Sequence, residues 1–448
     1  MSARPAVADT MLARAERLVE QAASRKVEAE VYLEQGRSLD AEIEKGVLSG
    51  MASHASGGGA WRIVKDGRLG FAYFADDTKA VAALEAALTL SRLAPAKGFQ
   101  LPHPTKPSAL PVQWDEAVAH PDPAKALAWA QELLVGARSA EPKLQVSGGG
   151  IGLSWGASAL ANTNGVRASD AATQAGASVS VVLEEGERSI STGEMAVSHR
   201  LDLDPRAVGA KAGATAKSLA GPKPAKGGAR DIVFRPEACL ELVAGLAVAA
   251  ATGDEAMRGK TVWSGKLGQA VAAPGLSIVD APLDPLAIGG CAVDDEGTAT
   301  RRLPIVEGGI LRSYVFDAWD GHEHKQATTG SAVRGGWTTR PTADTHHLTL
   351  EGPAFGLDAL LAGVDEGFLV ESVLGAHTAN ETTGEFSVTA PNAWRIHKGA
   401  LAGAVSDIAI AGDMASLLGS VDGMSREIRR MDGASIPHVR ARGLQVSV

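Results

Sequence analysis

His322, Glu323 and His324 are a run of metal-type ligands in the sequence and invite a metal reading. On an extended strand the two imidazoles would face the same side, and His346 or His347 would supply a third ligand. The stretch around them, GHEHKQATTGSAVRGG, is flanked by Gly and charge, so a polar surface loop with solvated rings is the favoured reading. Asp294-Asp295-Glu296, just ahead of Gly297, offers carboxylates for a divalent cation or an acid–base pair. Three successive side chains cannot share one direction, however, and a turn with solvated charges is expected. Cys291 follows Gly289-Gly290 with no His near it in sequence, which gives little support to a nucleophile. The richest polar segment is HTANETTGEFS, residues 377–387. There His377, Asn380, Thr383, Glu385 and Ser387 could hydrogen-bond an extended peptide or a partner's loop. The same groups could instead close a turn on their own backbone.

By contrast, VFRPEACLELVAGLAVAA, residues 233–250, carries nothing that could do chemistry. Pro236 suits a first helical turn and Glu237 suits its positive end. Cys239, Leu242, Val243, Leu246 and Ala250 then form one apolar face, so Cys239 reads as a small buried hydrophobe.

These groups need a scaffold, and 448 residues exceed one ordinary core. Two domains are expected, 1–225 and 226–448, divided near the Pro-, Gly- and Lys-rich GPKPAKGGARD. The fold class expected is α+β. With 45% hydrophobic but only 4% aromatic residues and 52 Gly, the interior must be built from Ala, Val, Leu and Ile. A net charge of -9 without a basic stripe argues against nucleic acid. The first twenty residues are too charged for a secretory signal, and LELVAGLAVAAA is too short to span a bilayer. Two cysteines, Cys239 and Cys291, make no disulfide framework, and a cytoplasmic setting is expected.

The first half reads as a repeated helix-sheet-helix unit. TMLARAERLVEQAAS is an amphipathic helix with Leu12, Ala15, Leu18, Val19 and Ala22 on one face. Strand-like runs follow, with Asp66-Gly67 as a hairpin turn and Asp77 as the cap of a second helix. The order then recurs: a helix in PDPAKALAWAQELLVGARSA, strands around an Asn164-Gly165 turn, a long hairpin, and the helix LDPRAVGAKAGATAKSLA. The second half is a series of short alternating runs between Gly, Pro, Asn and Asp. It predicts an antiparallel sheet closed as a barrel or sandwich, with a hairpin turn at Glu307-Gly308-Gly309.

Three segments carry a resemblance: RGKTVWSGKLGQAVAAPGLSIVDAPL; DDEGTATRRLPIVEGGILRSYVFD; and GAHTANETTGEFSVTAPNAWRIHKGAL followed by VSDIAIAGDMASLLGSVDG. In order and composition they resemble the TldD/PmbA family, in its PmbA (TldE) branch. The resemblance implies an α/β N-terminal part and a β-rich C-terminal part. It also implies a cytoplasmic heterodimeric peptidase in which a TldD-type partner carries zinc on a His-Glu-x-x-x-His helix plus a Cys ligand. The substrates implied are unfolded or modified peptides. Counting back without gaps from Arg258-Gly259 puts the ligand and base positions at Ala244, Gly245 and Ala249. No His lies between His199 and His322, and no Cys follows Cys291. The expectation is therefore a subunit with no catalytic residues and no metal or other cofactor of its own, with zinc in the partner and no affinity for membrane. The alternatives are an independent hydrolase built on His322, His324 and His346 or on Cys291, and a homodimeric peptide-binding scaffold. One departure from the family pattern is that residues 394–399, WRIHKG, are more basic than its counterpart.

Overall fold

A computed structural model describes residues 5–448. The first half folds as two α-β-β-β-α units. One comprises α1 (Ala6–Ala23), β1 (Glu28–Glu44), β2 (Val47–Lys65), β3 (Arg68–Phe74) and α2 (Asp77–Leu93). After the short α3 (Glu116–Ala119), the other comprises α4 (Pro123–Ser139), β4 (Gln145–Asn162), β5 (Arg167–Glu185), β6 (Arg188–Ser198) and α5 (Pro205–Ser218). Their strands make one six-stranded antiparallel sheet in the order β3-β2-β1-β4-β5-β6. The units therefore meet along β1 and β4, with Gly36 opposite Gly156 at mid-seam. The repeated order expected from the sequence is this architecture.

Local chemistry explains the strand boundaries. Asp66 and Gly67 both have positive φ, 51° and 69°, as a two-residue turn matched to strand twist requires. The cap of α2 is Asp76, one residue earlier than expected, because its carboxylate accepts the Thr78 N–H at 2.9 Å. Asp77 is the first helical residue and pairs with Arg14 of α1. Along β1, Ala29, Val31 and Leu33 pack in one core with α1 and α2, while Leu39, Ala41 and Ile43 pack in another with α4 and α5. All six share one strand parity, so the four helices cover one face of the sheet from opposite ends. Helices α4 and α5 cross closely where Gly136 meets Gly209. A Cβ at either would lie 2.1 Å from a carbonyl oxygen of the other helix.

The second half begins with β7 (Gly228–Phe234), so the final four residues of the expected linker are already strand. An eleven-stranded mixed sheet follows. Within it, β7, Glu366–Val370, Glu385–His397, Ala400–Asp413 and Ala434–Ser447 pair in succession, and the last returns to β7. This ring is the barrel-like closure anticipated from the short alternating runs. The pairing of β7 with Glu366–Val370 is parallel. Gly308 and Gly309, both at positive φ, form the hairpin turn.

The halves are joined through buried charge. Arg62 of β2 sits opposite Glu30 of β1 and donates two hydrogen bonds of 2.7 Å to it. Its third arm reaches Glu296 of the C-terminal half. Arg334 donates to Glu30 at 2.8 Å and stacks over the Tyr32 ring at 4.6 Å. Glu30, Arg62 and Glu296 are at most 2% exposed. A second cluster holds Glu194 of β6 among Lys211, Arg235 and Arg429.

Asp317, 3% exposed, lies beside the first cluster and caps the helix Ala318–His324 by accepting the Asp320 N–H at 2.7 Å. Burial and then the charge of Glu296 push its carboxyl up to about 7. The folded chain therefore holds this proton more tightly than the unfolded chain. The stability contributed is complete below about pH 4, the unfolded value, and is lost as pH rises through about 7. Asp317→Asn keeps a competent cap and removes the titration. Urea unfolding should find the variant more stable than the parent by roughly 2 kcal/mol at pH 8 and nearly equal to it at pH 4. Equal stabilities at both pH values would exclude this account.

Candidate functional site

Residues 236–251 form a continuous helix with an internal irregularity: Pro236–Ala238 is α, Cys239–Ala244 is a π turn, and Gly245–Ala251 is α again. The Gly245 N–H closes the π turn onto the Leu240 carbonyl. One stripe, Glu241, Gly245 and Ala249, faces a cleft of about 480 Å³ whose other wall includes Leu374, His377 and Glu381. The opposite stripe is core: Cys239, Leu242, Val243 and Ala247 are all 0% exposed. Burial, followed by the charges of Glu237 and Glu371, raises the Glu241 carboxyl above its ordinary value.

The π turn alters how this helix compares with a His-Glu-x-x-x-His metal helix. In an α-helix, positions five apart diverge, whereas an i→i+5 turn brings them to one side. In the gapless register 244, 245, 249, the first position is Ala244, which is 0% exposed and packed into the core. The register spanning the π turn is Leu240, Glu241 and Gly245. It retains the carboxylate and replaces both imidazoles, one with an alkyl group and the other with hydrogen. Neither register supplies a nitrogen or sulfur ligand, so the residues present do not fit a zinc ion.

The five polar residues predicted as a binding segment lie together beside this cleft, and all are exposed. Only His377 lines it. The Asn380 side-chain oxygen accepts from the Thr382 and Thr383 N–H groups at 3.0 and 3.1 Å. Thr383 donates to Glu385 at 3.1 Å, and Ser387 follows on the strand Glu385–His397. Much of the segment's hydrogen bonding thus closes its own turn, leaving the His377 imidazole toward the cleft.

The other candidates are dispersed. His322 and His324 lie on a helix rather than a strand, so two-residue spacing sends them apart. His322 Nε2 donates to the Lys97 carbonyl at 2.8 Å, and His324 Nε2 lies 2.7 Å from Asp254 Oδ1. His346 Nε2 donates to the Gly330 carbonyl at 3.1 Å, while buried His347 is held between Ile288 and Ser435. Among the described residues no three His, Cys, Asp or Glu side chains are placed to hold a metal ion. On the basic segment, Arg395 and His397 both engage Glu366.

Asp294-Asp295-Glu296 corrects the expectation of a solvated turn. Its side chains do point different ways, but into the protein. Asp294 accepts the N–H groups of Glu296, Thr298 and Ala332, Asp295 accepts that of Arg334, and Glu296 joins Arg62. Burial and then Glu296 push Asp294 up to about 8. Cys291 opens into a cleft of about 600 Å³ between the halves, with Tyr32, Asp295, Arg334 and His346. Burial and the surrounding carboxylates, Asp295 foremost, raise its thiol well above the ordinary range. It is held as the un-ionised thiol, the opposite of what a nucleophile requires. Cys239 is buried as expected.

The sequence reading missed Glu30 and Arg62. The available signal was a charge on each of two adjacent strands, at positions that pairing would set opposite one another.

Comparison with known proteins is consistent along the chain. Residues 29–91, 116–220 and 227–448 match, in turn, models described as PmbA/TldA metallopeptidase domain 1, central domain and C-terminal domain. An uncharacterized protein of Methanocaldococcus jannaschii is 26% identical over 86% of this chain and 88% of its own length. A metalloprotease PmbA homolog of Haemophilus influenzae is 30% identical over 42% of this chain and 39% of its own. The crystal structure of TldE from Thermococcus kodakarensis superimposes with a TM-score of 0.89, covering 97% of this chain and 99% of that one at 24% identity. That last likeness speaks to the fold.

Proposed function

The chain belongs to the PmbA/TldD metallopeptidase family, and from that premise we propose that it is a PmbA/TldE-type subunit without catalytic residues of its own. It would work in the cytoplasm, paired with a zinc-bearing TldD-type subunit, on unfolded or modified peptides. Its part is to wall the chamber in which cleavage occurs and to support the partner's metal site. The observation that carries this reading is the helix stripe Glu241, Gly245, Ala249: a cleft and a π turn are present, and the ligand side chains are not. A zinc peptidase needs three protein ligands and an open water position, and this helix offers one carboxylate. Independent hydrolysis is disfavoured because the histidines are tied to separate elements and the Cys291 thiol is kept protonated.

Hydrolysis of an unfolded peptide should be negligible with this chain alone. It should rise at least tenfold when the chain is added to a zinc-bearing family member from the same cell, and a chelator should abolish it. Zinc-dependent turnover by the purified chain, or no change in the partner's rate, would refute the proposal.

A further inference from the structure

The cleft beside the interrupted helix divides its chemistry between aliphatic walls and two acids. Leu246 and Ala249 of the helix line one side, and Val373, Leu374 and Ala376 line the other. Leu374 is 60% exposed, a large apolar side chain left to solvent at the cleft. The acids are Glu241, on the helix, and Glu381, on the polar segment opposite it. Among the described residues neither carboxylate has a hydrogen-bond or ion-pair partner. The cations nearby are committed elsewhere: Arg429 to Glu194 and Glu237, Arg235 between Glu194 and Glu371, and Lys260 to Glu255 at 3.1 Å. Burial and then the charges of Glu237 and Glu371 oppose ionisation of Glu241, so negative charge accumulates here with no neighbouring cation to offset it.

The lining selects the ligand. Among the described residues no three side chains are placed to hold a metal ion, so the complement of these acids is an organic cation. An aliphatic trough with carboxylates in it suits a long alkyl stem with a charged head, which buries its methylenes while the head stays paired. Lysine and arginine side chains have that form. A peptide's N-terminal ammonium does not, because it sits directly on the backbone and would leave the aliphatic walls uncovered. About 480 Å³ holds one such side chain with the backbone that flanks it. We propose that this cleft selects a basic side chain, lysine or arginine, in an extended peptide, with Glu241 and Glu381 receiving its charge. The proposal rests on the peptidase-subunit reading for the peptide, and it gives this chain a part in choosing which peptides are held.

Labelled, N-acetylated Gly/Ser peptides with one central Lys, norleucine or Glu, titrated with the purified chain and followed by fluorescence anisotropy, provide the test. Norleucine keeps the aliphatic stem of Lys and lacks its charge. The Lys peptide should bind at least fivefold more tightly than the norleucine peptide, and the Glu peptide most weakly, with the differences shrinking at high salt. Glu241 and Glu381 are exposed, so Glu241→Gln and Glu381→Gln leave the fold intact. Each should reduce the preference for Lys, and the double variant should abolish it while binding of the norleucine peptide is unchanged. Glu187→Gln, in the exposed turn between β5 and β6, controls for the net charge of -9 and should change nothing. Equal binding of the Lys and norleucine peptides, no binding of any peptide, or a preference that survives the double variant would each overturn the proposal. So would a norleucine peptide with a free N-terminus that binds as well as the acetylated Lys peptide, since a terminal ammonium would then be the ligand. No partner subunit or turnover is involved, so failure here is distinct from failure of the chain to activate a zinc-bearing partner.

Discussion

Arg62→Ala is expected to remove about 3–5 kcal/mol of folding stability, the characteristic cost of leaving buried charges without their partner. Burial opposes the guanidinium charge, but Glu30 and Glu296 outweigh that and hold it protonated. Deleting it leaves two carboxylates, 1% and 0% exposed, with Arg334 as the remaining neighbouring cation. Arg62→Lys should recover only part of the loss, because an ammonium cannot make the paired contact with Glu30 and still reach Glu296. Replacing Glu30, Arg62 and Glu296 together by apolar residues of similar size should cost far less than Arg62→Ala. Urea unfolding monitored by tryptophan fluorescence would measure all three. A loss below about 1 kcal/mol for Arg62→Ala would mean that the carboxylates are neutralised or hydrated on its removal. The cluster links β1 and β2 to the C-terminal half, so its failure should appear as loss of docking between the halves.

Gly136→Ala sets local preference against packing. In an exposed helix the substitution would stabilise by about 0.5–1 kcal/mol. Here the new Cβ would stand 2.1 Å from the Arg206 carbonyl oxygen and 2.9 Å from the Ala210 nitrogen. Both are backbone atoms and cannot rotate away, so α4 and α5 must separate. The core that includes Leu133, Ala137, Val208 and Ala212 would open with them. A net loss of about 2–3 kcal/mol is expected, with Gly209→Ala behaving alike and the pair less than additive. Thermal unfolding of the three variants decides the matter, and any stabilisation would show that the crossing is not tight.

Much of the N-terminal architecture was legible because it is written in local terms. Asp66-Gly67 specifies a hairpin by backbone preference alone, and α1 buries the face its periodicity marks, with Leu12 only half covered. The fate of Asp294-Asp295-Glu296 was not legible, since the partner of Glu296 lies 234 positions away in the chain. Side-chain type cannot tell a solvated acid from one awaiting a distant guanidinium. His322 and His324 misled for a different reason: a seven-residue helix capped by Asp317 is too short to show a period, and two-residue spacing changes meaning between helix and strand. The π turn was invisible because no residue type marks it; one extra residue is absorbed in the backbone. The missing zinc ligands were plain in the sequence, but which positions face the cleft needed that turn.

The seam between β1 and β4 also shapes how the chain comes to fold. Glu30 must find Asn162 before the six strands become one sheet, a separation that slows assembly relative to the hairpins on either side. At ribosomal speed the first unit waits roughly ten seconds for its mate. Through that interval β1 stands open along its inner side, and nascent chains crowded on one messenger would have the opportunity to zip onto each other there.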